Sequence, residues 1–444
     1  MQNSYQQKKQ QLSAQLKANG DTVRLVKQTS NLFRTRTEAK SGKLDVRNLN
    51  QVIEVNPESQ TVEVEGMTTY ETLTDACLQY QCMPRVVPQL KSITIGGAVS
   101  GIGIESSSFR HGLPHESVLS MEILLPDGEV VLCTPDNEHS DLFFGIPNSY
   151  GTLGYILKLT IRTMPVKPFV ALQHHRYHNA DEYFAAIETL CKSDTDFIDG
   201  TVFTPDEMYI TTGRFVDEVP FTSDYRWMKI YYRSIQQREA DFLSIRDYIW
   251  RWDTDWFWCS SNLYVQNWPM RLILGRRFLN SVSYQKVMRW NNRTGFTDKL
   301  NRFSNSKPES VVQDVDIPIE RAAEFLLFFQ QEINLRPVWI CPIGGHDTER
   351  QFPFYPLHDT GFFINFGFWG IVPNPERHPE GHFNRLVEDK VEELGGIKSL
   401  YSDSFYDEAR FWRLYNGDRF LELKQKYDPA RRLKNLYQKC VQRR

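Results

Sequence analysis

Short alternating runs dominate the chain between residues 44 and 165. In QVIEVNPESQTVEVEG, apolar and polar positions alternate on both sides of Pro57-Glu58-Ser59, which predicts a hairpin. MTTYETLTDACLQYQ changes period: Leu73, Ala76, Cys77 and Tyr80 fall on one helical face, with a threonine placed to cap it. SMEILLPDGEVVLCT predicts a second hairpin with Pro-Asp-Gly at its turn. In LGYILKLTIRTMPV, Leu157, Leu159 and Ile161 alternate with Lys158, Thr160 and Arg162, the signature of a half-buried strand. Pro165 and Pro168 end that pattern and place a domain boundary near residue 168.

From there to about residue 390 the reading is of an antiparallel sheet with flanking helices. Helices are expected at DEYFAAIETLCK and ERAAEFLLFFQQEI. Strands are expected at GTVFT, EMYITTGRF, SVVQDVDI, PVWICPI and GFFINFGFWGI. The polar stretch NNRTGFTDKLNRFSNSKPES reads as a mobile loop, and the last 55 residues read as helical. The fold class is therefore α+β, in three parts: 1–168, 169–390, and a closing segment 391–444.

Bulk properties narrow the class. A net charge of -3 over 444 residues offers no bulk attraction to nucleic acid. Seven cysteines without a CxxC pair argue against a disulfide framework or zinc knuckle and favour a reducing, cytoplasmic setting. No run of about 18 uncharged apolar residues occurs, and the Gln-rich N-terminus lacks a signal-peptide core.

The densest chemical signal is SITIGGAVSGIGIESSSFRHG. Gly96, Gly97, Gly101 and Gly103 fall close together, and Ser106, Ser107 and Ser108 follow. One reading is a structural turn. A second is a Rossmann phosphate loop, with SITIG as its strand and Glu122 as its acidic residue. That reading needs a following helix, and SSSFRHGLPHES shows no helical period. A third is a bare-backbone cradle, in which amide N–H groups and adjacent hydroxyls bind an extended diphosphate. NSYGTLGYI, some 45 residues downstream, is a second glycine turn that could form the other side of such a cradle.

These stretches resemble the FAD-binding domain of the vanillyl-alcohol oxidase/p-cresol methylhydroxylase (PCMH-type) superfamily. Within it, GIGIESSSFRHGL, LLPDGEVVLCTPDNEHSDLFFGIPNSYGTLGYI, PVWICP and SLYSDSFYDEARFWRLYNG resemble delta(24)-sterol reductases. A more distant similarity runs to flavin oxidases of decaprenyl-phosphoribose. The resemblance implies a two-part FAD-binding domain closed by the C-terminal segment, and a cap domain over the flavin. It implies cofactor contacts from Pro88, Ser92, Thr94, Gly96, Gly97, Gly101, Gly103 and Ile104, continued by Ser106, Ser107, Ser108 and His111. The other edge is implied to be Gly151, Leu153, Gly154 and Ile156. VKQTSNLFR stands where the family has its first phosphate loop, so Thr29, Ser30 and Asn31 are candidates. That loop carries no His or Cys for covalent attachment, so non-covalent FAD is expected.

The implied chemistry is reduction of an isolated C=C bond of a lipid, a sterol side chain or a branched or methylene-bearing acyl chain. NAD(P)H is the implied electron donor. Such an alkene needs a proton donor beside the hydride source. Tyr401 is the first candidate and Asp403 the second. The competing reading packs Tyr401 in the core and uses Asp403 to cap the helix YDEARFWRLY. Where the decaprenyl-phosphoribose oxidases carry a lysine, this chain has Ser402 beside Asp403, which weighs against alcohol oxidation. Two alternatives stay open: oxidation of an alcohol on a sugar, polyol or prenyl-linked substrate, and non-catalytic lipid binding.

Two further clusters invite chemistry. HHRYH could place His174 and His178 together on a helix, but its flanks favour a strand and no metal site. His378 and His382 are four apart, with Pro379 and Gly381 against a shared helical face. Residues 248–278 hold Trp250, Trp252, Trp256, Trp258 and Trp268 among several arginines. This segment is either an aromatic core or a surface that rests on a membrane.

Overall fold

The computed structural model describes residues 2–18, 23–30, 33–34, 42–294, 308–344, 351–357 and 361–442. Most of the NNRTGFTDKLNRFSNSKPES stretch lies outside the described residues, although a helix Ser281–Thr294 enters it.

The architecture is α+β, built on two large sheets. The first is antiparallel, in the order Val52–Asn56, Thr61–Glu65, Tyr155–Pro165, Val118–Leu124, Val130–Cys133, with Cys82–Pro84 also paired to the long third strand. That strand buries every second residue, as its alternation requires. The helix Tyr70–Leu78 packs beside this sheet, capped by the Thr69 hydroxyl, which accepts from Thr72 N–H. The N-terminal helix Gln2–Ala18 looks polar throughout, yet Tyr5, Leu12 and Leu16 are buried against the outer face.

The second sheet has eight strands, all joined antiparallel. Their order is Ala240–Ser244, Phe169–Tyr177, Glu207–Val216, Phe197–Thr204, Val338–Ile343, Phe363–Val372, Glu309–Pro318 and Ile397–Lys398. The helices Ala180–Cys191, Ala322–Glu332 and His382–Glu393 pack on it through a core of Phe184, Phe325, Phe329, Phe366 and Val387. The expected strands and helices of this region all form. The strand Phe169–Tyr177 separates His174 from His178, and His174 Nδ1 lies 2.8 Å from the Thr211 hydroxyl. His378 and His382 do meet, with ring centroids 3.9 Å apart. A helix begins only at His382, so a bend, not a helical face, brings them together.

The glycine stretch departs from expectation. Residues Ile95–Gly101 form a helix inside the glycines themselves, capped by Thr94 Oγ1, which accepts from Gly97 N–H at 3.2 Å. No strand precedes it; Thr94 makes an isolated bridge with Thr69. Burial of Ile95, Ala98 and Val99 overrides the poor helix propensity of glycine. Gly96 is needed for close packing, since a Cβ there would sit 2.6 Å from the Gly66 carbonyl oxygen.

The serine row also has a structural task. Ser106 Oγ lies 2.8 Å from the Tyr248 hydroxyl, and Ser107 Oγ donates to the Arg85 carbonyl at 2.7 Å. The Ser106 and Ser108 carbonyls accept from Ile198 N–H and Gly344 N–H, stitching this segment to the second sheet. Beside them, buried Arg251 lies 2.8 Å from the Asp199 carboxylate and 3.5 Å from that of Glu105. Desolvation raises the Glu105 pKa, and the arginine opposes that rise.

Replacing Arg251 with Met should leave Asp199 and Glu105 buried without their cation. The expected loss is about 3–5 kcal/mol of stability, measured by urea unfolding. A change near zero would show that this contact does not hold the two sheets together.

Candidate functional site

A cleft of about 1050 Å³ lies between the glycine helix and the second sheet. Its volume matches the upper end of ordinary small-molecule sites, so it can take a long ligand. One wall comes from the first unit: Thr29 and Ser30, Pro88 and Gln89, Thr94 to Ile104 in part, and Tyr150 with Gly151. The opposite wall comes from the second sheet and its connections: Trp256, Phe257, Cys259, Asp314, Trp339 and Trp369. The C-terminal segment closes it with Ser399, Tyr401, Arg432, Leu433, Lys434 and Lys439.

The two glycine turns meet directly. Tyr150 N–H donates to the Ser100 carbonyl at 2.8 Å, and the Tyr150 hydroxyl donates to the Gly101 carbonyl at 2.8 Å. A Cβ on Gly101 would stand 3.0 Å from the Tyr150 ring, so the absent side chain admits the tyrosine rather than a ligand. Arg34 stacks on the other side of that ring, 4.6 Å from its centroid.

Of the expected cofactor residues, Thr29, Ser30, Pro88, Thr94, Gly97, Gly101, Gly103, Ile104 and Gly151 line the cleft. Ser92, Gly96, Ser106, Ser107, Ser108, His111, Leu153, Gly154 and Ile156 do not. Leu153 is core, and a Cβ on Gly154 would meet the Ile123 side chain at 2.5 Å. Ser92 Oγ bonds Gln285, and the serine hydroxyls meet protein groups: Tyr248 for Ser106, the Arg85 carbonyl for Ser107 and the Glu105 N–H for Ser108. His111 sits half-buried by Arg85 and Arg110; desolvation first, and those two cations next, bring its pKa down to about 4. Asn31 lies outside the described residues.

Tyr401 lines the cleft, but Asp403 does not. The Asp403 carbonyl instead accepts from Lys398 Nζ at 2.6 Å. Nor does Asp403 cap the following helix; Asp407 does, accepting from Arg410 N–H at 2.8 Å. The carboxyl that joins Tyr401 is Asp314. The two interact electrostatically, and the Tyr401 hydroxyl accepts from Trp369 Nε1 at 2.8 Å.

Sheet register explains how Asp314 reaches the cleft. Trp339, Gly367 and Asp314 stand in one cross-strand row, with the glycine between the other two. A Cβ on Gly367 would lie 2.8 Å from Asp314 Oδ1 and 2.7 Å from the Trp369 ring. The glycine therefore makes room for both side chains. Asp314 Oδ1 is buried without a partner. Burial pushes the Asp314 pKa up to about 7; nearby Asp316 adds to the rise and the Tyr401 hydroxyl opposes it. Because the folded value exceeds the unfolded one, this group's contribution to stability falls as pH rises from 3.8 toward about 7. Burial and the neighbouring carboxyl raise the Tyr401 phenol, which keeps its proton. Sequence reasoning missed Asp314 because SVVQDVDI reads as an alternating strand with polar residues outward. The available signal was Gly367 within a strand.

Charge divides the lining. The lining holds eight basic residues (Arg24, Lys27, Arg34, Lys43, Arg47, Arg432, Lys434 and Lys439) and two acidic ones, Asp45 and Asp314, which suits an anionic ligand. Trp256, Phe257, Trp339 and Trp369 supply an aromatic face, with Phe257 and Trp369 centroids 4.5 Å apart. Gln89 is buried at 3% exposure, lines the cleft, and has a partner for neither amide atom. Arg34 likewise leaves Nη2 unbonded. Such groups are costly unless a ligand meets them.

Comparison with known proteins identifies a cofactor-binding family within the chain. Residues 6–134 match the family described as FAD binding domain. The chain is 27% identical over 406 residues to a delta(24)-sterol reductase of Homo sapiens, covering 85% of this chain and 74% of the relative. It is 25% identical over 439 residues to a delta(24)-sterol reductase of Arabidopsis thaliana, covering 90% and 77%. It is also 27% identical over 146 residues to cytokinin dehydrogenase 7 of Oryza sativa subsp. japonica, covering 32% and 28%.

The residues present fit FAD. The basic lining and the Thr94 hydroxyl offer donors to a diphosphate, and Gln89 offers one donor and one acceptor to a heteroaromatic edge. Gln89→Leu should weaken FAD binding roughly tenfold in a fluorescence titration. The apoprotein should melt no lower than wild type, because an unpartnered buried amide is removed. Unchanged affinity would remove Gln89 from the cofactor site.

Proposed function

We propose that this FAD-dependent oxidoreductase reduces an isolated C=C bond of a lipid, with NAD(P)H as electron donor. The observation that carries the reading is Asp314. It is a carboxyl that burial holds near neutrality, set beside Tyr401 in an aromatic wall. A carboxylic acid still protonated near neutral pH is what an unactivated alkene requires, because no carbonyl is present to be polarised. The aromatic side chains around it exclude water and offer apolar contact to a hydrocarbon. The names of the relatives point to a sterol, and the aromatic face is equally suited to a branched or methylene-bearing acyl chain.

FAD, when bound and reduced by NAD(P)H, would supply the hydride. Asp314 holds the proton and delivers it, directly or through the Tyr401 hydroxyl, to the carbon that does not receive the hydride. The alkene becomes a saturated C–C bond and Asp314 is left as carboxylate. Trp369 fixes the Tyr401 hydroxyl through its indole N–H. Gly367 keeps the space in which the carboxyl stands. Among the described residues no lysine lies with the aromatic residues of this wall, in keeping with reduction over alcohol oxidation.

The deciding experiment is an anaerobic spectrum. NADPH should bleach the flavin absorbance, and a lipid alkene should restore it. Rapid bleaching by an alcohol, with peroxide formed in air, would instead establish the oxidase reading. The alkene-dependent reoxidation should slow as pH rises through about 7, where Asp314 loses its proton. In Asp314→Asn it should be about a hundredfold slower or more, with no such pH limb. A wild-type profile in that variant would refute the assignment. FAD is held without a covalent bond in this reading, so acid precipitation should leave the yellow colour in the supernatant. A yellow pellet would contradict it.

A further inference from the structure

The tryptophan-rich segment divides into an inner and an outer part. Trp250, Trp252, Trp256 and Trp258 are buried, so residues 248–258 form an aromatic core and cannot rest on a surface. The segment Trp268–Phe278, helical with a break at Gly275 (φ 61°, ψ 178°), behaves differently. Tyr264, Trp268, Met270, Leu272, Ile273 and Phe278 are all exposed, Ile273 at 76% and Trp268 at 68%. They make up six of the 14 large exposed hydrophobics among the described residues, within 15 positions of the chain. Such concentration is unusual for a surface that meets only water.

This outer face is rigidly held from below. Arg271, 1% exposed, points inward to the Asp255 carboxylate, and its carbonyl accepts from Trp227 Nε1 at 3.0 Å. Leu274 and Leu279 join a cluster with Trp256 and Cys259, two residues of the cleft wall. The segment thus packs on residues of the cleft wall through its inner face and leaves its outer face bare.

Charge selects the occupant. From Trp256 to Thr294 the chain carries six basic residues (Arg271, Arg276, Arg277, Lys286, Arg289 and Arg293) and no Asp or Glu. Arg276 is paired with Asp224, while Arg277 is exposed beside Phe278. Exposed Trp and Tyr among aliphatics, flanked by cations and free of acids, is the composition of a helix lying in the headgroup region of an anionic bilayer. Among the described residues no helix is long and apolar enough to cross a membrane.

We propose that the exposed face of Trp268–Phe278 docks this protein on anionic lipid bilayers, next to the cleft wall that would receive an apolar substrate. Docking itself rests on the exposed face and its charge; only the purpose given to it rests on the reading of a lipid substrate.

The test is flotation of the full-length, FAD-loaded protein with phosphatidylcholine vesicles, with and without phosphatidylserine. Wild type should float with the anionic vesicles and be released by added salt. Trp268→Ser combined with Ile273→Ser should bind roughly tenfold less or weaker still. The same variant should retain its flavin spectrum and reduce a detergent-solubilised alkene as wild type does. Wild type that stays soluble with anionic vesicles at low salt, or a variant that floats equally well, would overturn the proposal. So would ultracentrifugation showing a dimer that this variant dissociates, since the face would then belong to a second copy. Failure to reduce any lipid alkene, with flotation intact, would strike the proposed reaction and leave the docking surface standing.

Discussion

Buried Arg251, with Asp199 on one side and Glu105 on the other, is the contact on which the rest of the structure depends. Glu105 opens the serine row of the first unit, and Asp199 belongs to the second sheet. A cation desolvated between two carboxylates from different units is favourable only when both units are in place. The Asp199 carboxylate also accepts from the indole N–H groups of Trp252 and Trp339, at 3.2 and 3.3 Å. Trp339 lines the cleft, so the charge that joins the units also sets the orientation of its aromatic wall.

That joint explains why the cleft has two characters. The first unit contributes backbone, hydroxyls and cations, because its close-packed turns leave little room for large side chains. The second contributes rings, because its strands are long and their alternate positions face a shared interior. A ligand with an anionic middle and a flat aromatic end spans the division. Asp314 stands where the second character dominates, and its high pKa follows from that location: little water remains to stabilise a carboxylate.

The same aromatic stratum connects the cleft to the surface. Trp256 packs on Phe33, 5.6 Å away, at the cleft, and shares a cluster with Leu274 of the outer helix. A substrate with little solubility in water would meet hydrocarbon-like contacts along this route. The cleft lining, the proposed proton donor and the proposed docking face therefore share one packed layer, and a change in that layer would be felt in all three.

The chain's local periodicity determined the two hairpins, the long strand Tyr155–Pro165 and the strands and helices of the second sheet. Each buries one face, and burial of one face writes its period into the sequence. The motifs around Gly96–Gly103 and Gly151 likewise marked one wall of the cleft, although the glycines at 96, 101 and 103 serve close packing against Gly66, Tyr150 and Pro88. What the sequence could not determine depends on partners distant along the chain. Ser106–Ser108 read as ligand donors but bond protein, Asp403 gave way to Asp314, and four tryptophans turned inward while a fifth stayed bare. Hydroxyls, carboxyls and indoles serve ligand or protein equally well. Only the register that set Gly367 between Trp339 and Asp314, and the docking of one unit on the other, decided which each would meet.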